Sequence, residues 1–241
     1  MSLRRITIVS LLAVVAVPAA LLLGGCPGGD GAPQSDAGPD TAVVDAPSFP
    51  CDAGFLGDPA QSPIIELRAL KADGTDVPLN DGDDLAVIFP PQGGRVAFVG
   101  VRALNLDACG VQITGALRDP STQQLRADGR TLNLDREPDG WGTSGHGTTA
   151  KIEESALIGN YSNIPLCPNQ WASTNVYDTT FELEVLVVDR GKRQVSKTIK
   201  VTPRCAEPGD KEVACRCLCK KGYVLGEACG ESDAGSDGGK L

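Results

Sequence analysis

Nine cysteines punctuate this chain of 241 residues, and four of them stand in the stretch CRCLCKKGYVLGEAC, from Cys215 to Cys229. Any fold must satisfy those sulfurs as metal thiolates, as half-cystines closing a small module, or as a redox device. The compartment decides between these, because disulfides persist in oxidising surroundings and are rare in the cytosol. The N-terminus reads MSLRRITIVSLLAVVAVPAALLLGGC. Arg4 and Arg5 precede an apolar stretch from Ile6 to Leu23, broken only by Thr7, Ser10 and Pro18. That is the pattern of an export signal, removed before folding. The rival is a transmembrane anchor, since the stretch approaches the roughly 20 residues that span a bilayer.

Leu23-Gly24-Gly25-Cys26 places small residues directly before a cysteine. This resembles the lipobox of bacterial lipoproteins. The resemblance implies cleavage before Cys26, a diacylglyceryl group on its thiol and acylation of the new amino terminus. One acyl chain binds a membrane only marginally, at about 0.8 kcal/mol per buried methylene, whereas two or three anchor stably. Residue 27 is Pro. In the enterobacterial pattern an Asp there retains a lipoprotein at the inner membrane, so the expected location is the cell outer membrane or cell surface.

Residues 27–50 are dominated by Gly, Pro, Ala, Asp and Ser, with too little apolar surface to offset chain entropy. They are expected to form a flexible tether with a reach of roughly 25–30 Å. The C-terminal ESDAGSDGGKL has the same bias. This style resembles that of surface lipoproteins of myxobacteria and their relatives, a group with no activity to carry over. The expected organisation is a signal peptide over 1–25, a lipidated cysteine and disordered tether over 26–50, and a β-sandwich over 51–204. A Cys-rich appendage follows over 205–230, then a disordered tail over 231–241.

Without Arg4 and Arg5 the chain carries 20 basic and 31 acidic residues. So acidic a protein is a poor partner for nucleic acid. The charge is uneven: residues 27–189 hold nine basic and twenty-four acidic side chains, residues 190–221 ten basic and three acidic. Arg190, Lys192 and Arg193 are expected on a hairpin tip. The functional alternative is a basic face that meets an anionic surface.

Residues 61–204 read as strands. RVAFVGVRAL (95–104) is rich in Val and apolar from Val96 to Val101, and VQITGALR (111–118) alternates, with Val111, Ile113 and Leu117 on one face. QQLRADGRTLNL suggests two short strands around Asp128-Gly129, a hairpin cue. In FELEVLVVDRGKRQVSKTIKV, Phe181, Leu183, Val185 and Val187 share a face that Val195, Ile199 and Val201 answer. Period-two alternation leaves one face buried and one wet, and several such strands suggest an antiparallel sandwich. The valine-rich hairpin ending in Thr202-Pro203-Arg204 resembles the last two strands of bacterial immunoglobulin-like domains. Pro91-Gln92-Gly93-Gly94 reads as a tight turn in which the glycines supply positive φ. The segment 149–160 fits helix and strand equally.

Candidate chemistry is sparse, and nothing calls for a cofactor. His146 is the only histidine, two residues from Ser144 in a Gly-rich loop, and no nucleophile motif accompanies the pair. With one histidine, the usual His-based zinc chemistry is excluded. Asp135, Glu137, Asp139 and Gly140 match positions 1, 3, 5 and 6 of a calcium loop, but position 12 is His146 rather than Glu. Asn80-Asp81-Gly82-Asp83-Asp84 is a second acidic loop. Trp141 and Trp171 could contact carbohydrate from the surface, or pack in the core.

With Cys26 lipidated, eight cysteines remain, an even count that implies four disulfides in an exported protein. If the run 215–219 is extended, residues i and i+2 lie about 6.5–7 Å apart, at the limit for bridging. Cys215, Cys217 and Cys219 should then each find a more distant partner. Cys217-Leu218-Cys219-Lys220-Lys221-Gly222-Tyr223, five residues and Cys229 resemble the second half of an EGF-like module. That resemblance implies a Cys219–Cys229 bridge, with Cys217 reaching upstream to Cys205. Cys51 would supply a partner for Cys215, leaving Cys109 with Cys167. Cys205 stays open as the alternative partner of Cys215. A zinc or iron–sulfur site would need reducing surroundings and usually C-x-x-C spacing.

The expected protein is all-β: an antiparallel immunoglobulin-like sandwich with a small disulfide-rich C-terminal appendage, anchored to a membrane through Cys26. The expected function is non-catalytic, a binding, adhesion or structural module for a protein or glycan. The alternatives are a hydrolase or carbohydrate-binding accessory protein with carboxylates converging around Asp135, Asp139 or Glu153, and a calcium-dependent module.

Overall fold

The computed structural model describes residues 51–90, 93–145 and 159–229. Two sheets face each other. One is built on β5 (Arg95–Leu104), with β2 (Ile64–Leu70) and then β3 (Asp76–Pro78) along one side. On the other side lie β11 (Ser162–Cys167) against residues 95–99 and β10 (Gly142–Thr143) against residues 102–103, with β9 (Asp135–Arg136) beyond β10. The second sheet runs β4 (Asp84–Val87), β13 (Gln194–Cys205), β12 (Phe181–Val188), β7 (Val111–Arg118), β8 (Leu125–Leu132). A short pair, β1 (Phe55–Leu56) with β6 (Leu106–Asp107), completes the strands of the described residues. The order β13-β12-β7-β8 against β2-β5-β11 is that of an immunoglobulin-type sandwich. The sheets are antiparallel except where β4 runs parallel to β13.

Alternation builds this arrangement. Val111, Ile113 and Leu117 of β7, Phe181, Leu183, Val185 and Val187 of β12, and Ile199 and Val201 of β13 are all buried. They meet Ile65 and Leu67 of β2, the alanines and valines of β5, and Ile164 of β11 in one core. At 20–30 cal/mol per Å² these side chains are the main favourable term. Between Arg95 and Arg102, β5 reads as continuously apolar because its other face is buried as well: Phe98 meets the Tyr161 ring edge-on, with Leu70 and Ile88 beside them. The Pro-Gly-rich turn behaves as its glycines require, with φ near 90° at Gly93 and 76° at Gly94.

Asp128-Gly129 is not a hairpin turn. β8 runs straight through it, with Asp128 opposite Gly115 and Gly129 opposite Thr114. The turn falls at Asp119-Pro120, where Pro is preset for the bend and the buried Asp119 carboxylate accepts the N–H groups of Ser121 and Thr122. Asp128 instead joins the two sheets at their edges. Its carboxylate accepts the Asn163 N–H at 2.8 Å and its carbonyl accepts the Ser162 hydroxyl at 2.7 Å.

The segment 149–158, equivocal in sequence, lies outside the described residues. Among the described residues, no helix is long and apolar enough to cross a membrane.

Two glycines of the β7–β8 pair give opposite expectations. A Cβ on Gly115 would meet Ser162 Oγ at 2.8 Å inside the sandwich, so Gly115→Ala should lose about 1–3 kcal/mol by overpacking. Gly129 has strand backbone and its nearest neighbour stands at 3.4 Å, so Gly129→Ala should be neutral or gain up to about 1 kcal/mol. Urea denaturation of both variants checks this; a loss at Gly129 would mean a turn with positive φ.

Candidate functional site

The sandwich has two distinct ends. At the first, Cys51 is bridged to Cys109, just before β7, across 58 residues of sequence. Arginines pin the chain that follows Cys51. Arg136 donates to the carbonyls of Ala53 and Phe55, and Arg193 to those of Pro59 and Gln61 while lying over the Phe55 ring. Asn105 accepts the Asp58 N–H and donates to the Ser62 carbonyl. The hairpin tip carries Arg190 and Lys192 as expected, but Arg190 is paired with Asp107 at 2.7 Å. Much of the basic charge here is therefore used to hold the incoming chain.

The acidic loops are also occupied. Glu137 and Asp139 do converge, together with Glu66, but on the Arg102 guanidinium, which lies 5.0 Å from the half-buried Trp141 ring. Asp135 sits on β9, and Arg102 fills the place a cation would take. The N–H of Trp141, aided by Arg102, holds the Asp139 carboxyl below its ordinary range. In the second loop, Asp83 accepts the backbone and side-chain N–H groups of Asn80, Asp81 accepts the Lys200 N–H, and Asp84 pairs with Arg204. The Ser144 hydroxyl is buried and accepts the Val101 N–H at 2.9 Å. His146 and Glu153 lie outside the described residues. Trp171 is a core residue, its indole N–H donated to the Leu166 carbonyl and its ring 5.6 Å from Phe181.

At the opposite end, every bridge of the expected set is replaced. Cys205 pairs with Cys215, Cys167 with Cys219, and Cys217 with Cys229. With Cys51–Cys109, these displace Cys51–Cys215, Cys109–Cys167, Cys205–Cys217 and Cys219–Cys229. Of the partners considered for Cys215, Cys205 is the one found. The physical reason is local: the run is not extended but lies in and just after α1 (Asp210–Leu218). At 3.6 residues per turn, Cys215 and Cys219 share a face and Cys217 points away. The shared face is inward, with Cys215 and Cys219 1% and 0% exposed.

The helix had a sequence signal. Asp210 and Glu212 sit in the first turn and Arg216 in the last, matching the helix dipole, and Glu212 reaches Arg216 at 2.9 Å. Nine residues would be marginal alone, so the sandwich holds them. Asp178 pairs with both Arg204 of β13 and Arg216 of α1, and these arginines hold its carboxyl below the ordinary range. Asn169 donates to the carbonyls of Cys219 and Lys220.

Beside α1 opens a groove of about 770 Å³ between the end of β2, the edge of β4 and the segment from Ala206 to Lys211. Leu70, Ala72 and Ala86 supply apolar lining, with Lys71, Asp73 and Lys211 at its margins. Glu207 anchors this wall. It is nearly buried, lies 4.0 Å from Arg95, accepts the Phe89 N–H and pairs with Lys211. Neither Arg95 nor Glu207 was singled out in sequence, because a pair 112 residues apart leaves no local pattern. Six large apolar side chains are exposed among the described residues. Five of them, Phe89, Leu125, Val213, Val224 and Leu225, belong to this end of the molecule, and Ile64 to the other.

Comparison with protein-family models, with curated proteins and with solved structures finds no match.

Asp119 organises this end and gives a pH test. Besides capping its own turn, it accepts the Ser173 N–H at 2.7 Å, tying down the loop after β11. Burial pushes its carboxyl up, but the N–H groups of Thr122, Ser173 and Ser121 outweigh burial and hold it below its ordinary value. A depressed carboxyl stabilises the fold above its unfolded value, and that contribution is lost as pH falls through the folded one. Asp119→Ala should therefore cost about 2–3 kcal/mol at pH 7. The difference from the parent should shrink as pH falls below about 4. Denaturant midpoints between pH 7 and pH 2 check this.

Proposed function

We propose that the protein is a lipid-anchored cell-envelope module that presents the α1 end of its sandwich to a protein or glycan partner. In this reading residues 1–25 direct export, Cys26 carries the acyl chains and residues 27–50 form the tether. The location is the cell outer membrane or cell surface. The function is binding, adhesion or support of the envelope rather than catalysis.

The observation that carries the reading is the polarity of the sandwich. The chain arrives at one end, where Cys51–Cys109, Arg136 and Arg193 fasten it. The groove and five of the six exposed large apolar side chains lie at the other. Val224 and Leu225 are adjacent and the most exposed of these groups, and adjoining exposed apolar groups mark contact surfaces more often than those scattered singly. An arm fastened at one end and apolar at the other suits a module that reaches away from its anchor.

The anchor is tested by growing the producing bacterium with an alkyne-tagged fatty acid and analysing the detergent-extracted protein. The expected product begins at Cys26, carries acyl groups and labels, and Cys26→Ser abolishes the label. An unlabelled membrane protein that retains residues 1–25 would contradict the reading. For the binding face, Val224→Glu with Leu225→Glu should reduce capture of envelope partners without lowering the melting temperature, whereas Ile64→Glu should not reduce capture.

A further inference from the structure

We propose that the Cys205–Cys215 and Cys167–Cys219 bridges form a coupled redox latch, in which one dithiol converts both into a single Cys215–Cys219 bridge and releases α1 from both sheets. The bridges are neighbours. Cys215 Sγ lies 3.9 Å from Cys219 Sγ, and the sulfurs of Cys205, Cys215 and Cys219 all fall within 4.8 Å of one another. One bridge ties α1 to the end of β13, the other ties the residue after α1 to the end of β11.

The order of events follows from exposure and contact. Cys205 is the most accessible of the four at 9%, against 6% for Cys167 and almost none for Cys215 and Cys219. The first thiolate of an external dithiol attacks Cys205 Sγ, the Cys205–Cys215 bond breaks, and Cys215 leaves as a thiolate. The second thiol of the reductant resolves the mixed disulfide, departs as a cyclic disulfide and leaves Cys205 as a thiol. A bare thiolate at Cys215 is costly, being buried in the last turn of a helix where the dipole is negative. Its nearest outlet is Cys219 Sγ. Attack there forms Cys215–Cys219 and breaks Cys219–Cys167, and Cys167 departs and takes up a proton. The dithiol has given two electrons and two protons, and the protein holds thiols at Cys167 and Cys205. Attack beginning at Cys167 reaches the same product from the other side.

The product bridge needs a small shift of the last turn, since the Cβ atoms of residues i and i+4 stand about 5–6 Å apart on a helix and a disulfide holds them about 3.5–4.5 Å apart; Cys219, at the C-cap, is where the helix can give. Residues i and i+4 of a helix are separated by about 6 Å along the axis, inside the usual Cα range for a disulfide of about 4.4–6.8 Å. Both tethers of α1 are then lost together, while Cys217–Cys229 stays within the appendage. The segment from Ala206 to Lys211 lies within the loop that Cys205–Cys215 closes, and it is a wall of the groove. That the latch opens the groove to a partner rests on the binding reading above. The exchange chemistry does not, so its test stands apart from that reading.

The test titrates the intact oxidised protein with dithiothreitol. Thiols are trapped with N-ethylmaleimide in acidic denaturant and mapped as peptides, following the titration past the more exposed Cys217–Cys229 bridge. The expected species carries label at Cys167 and Cys205 and a Cys215–Cys219 bridge. Label at Cys205 and Cys215 with Cys167–Cys219 intact would overturn the proposal, as would label appearing together at all of Cys167, Cys205, Cys215 and Cys219. Cys205→Ser gives a second measure without reductant. Its free thiol should be shared between Cys215 and Cys167, with a matching fraction of Cys215–Cys219; label confined to Cys215 would overturn the proposal.

Discussion

The length of β13 sets the geography of this protein. Twelve residues run from Gln194 to Cys205, a span of roughly 37 Å at the rise of an extended strand. The strand begins at the hairpin tip that clasps the incoming chain and ends at the first cysteine of the C-terminal cluster. Its inward residues, Ile199 and Val201, belong to the same core as Phe181, Leu183, Val185 and Val187 across the hairpin. Once that pairing is formed, Cys51 and Cys215 stand at opposite ends and cannot meet. The separation of the Cys51–Cys109 end from the α1 end follows from the length of this one strand.

The sandwich was legible in sequence to the extent that its signals were periodic. Alternation in β7, β12 and β13 identified the buried faces, and Gly93-Gly94 identified a turn. Local motifs misled where a residue's work was non-local. Asp128-Gly129 carries turn chemistry, but its carboxylate and carbonyl are taken by Asn163 and Ser162 on the opposing sheet. The parallel pairing of β4 leaves no mark of its own in four residues. In the cysteine cluster, Cys215, Cys217 and Cys219 each find a distant partner as their close spacing implies, but not the partners of the EGF-like pattern, because a helix turns Cys215 and Cys219 inward and Cys217 away.

The candidate site was less legible still, because opposite charges meet across the fold. Loop carboxylates that could have served calcium are held by Arg102, Arg204 and backbone N–H groups. The arginines of the basic stretch fasten the chain after Cys51 and pin α1 through Asp178. Only cysteine content and the N-terminal pattern pointed to an exported, cross-linked molecule. Neither indicated which end would carry exposed Val213, Val224 and Leu225.

The most direct test of this account is the disulfide map of the protein from its native source, obtained by non-reducing proteolysis and mass spectrometry with thiols blocked at lysis. The expected map joins Cys51 to Cys109, Cys167 to Cys219, Cys205 to Cys215 and Cys217 to Cys229. A peptide linking Cys51 to any cysteine of the 205–229 cluster would contradict it, because the two ends of the sandwich would then have to coincide.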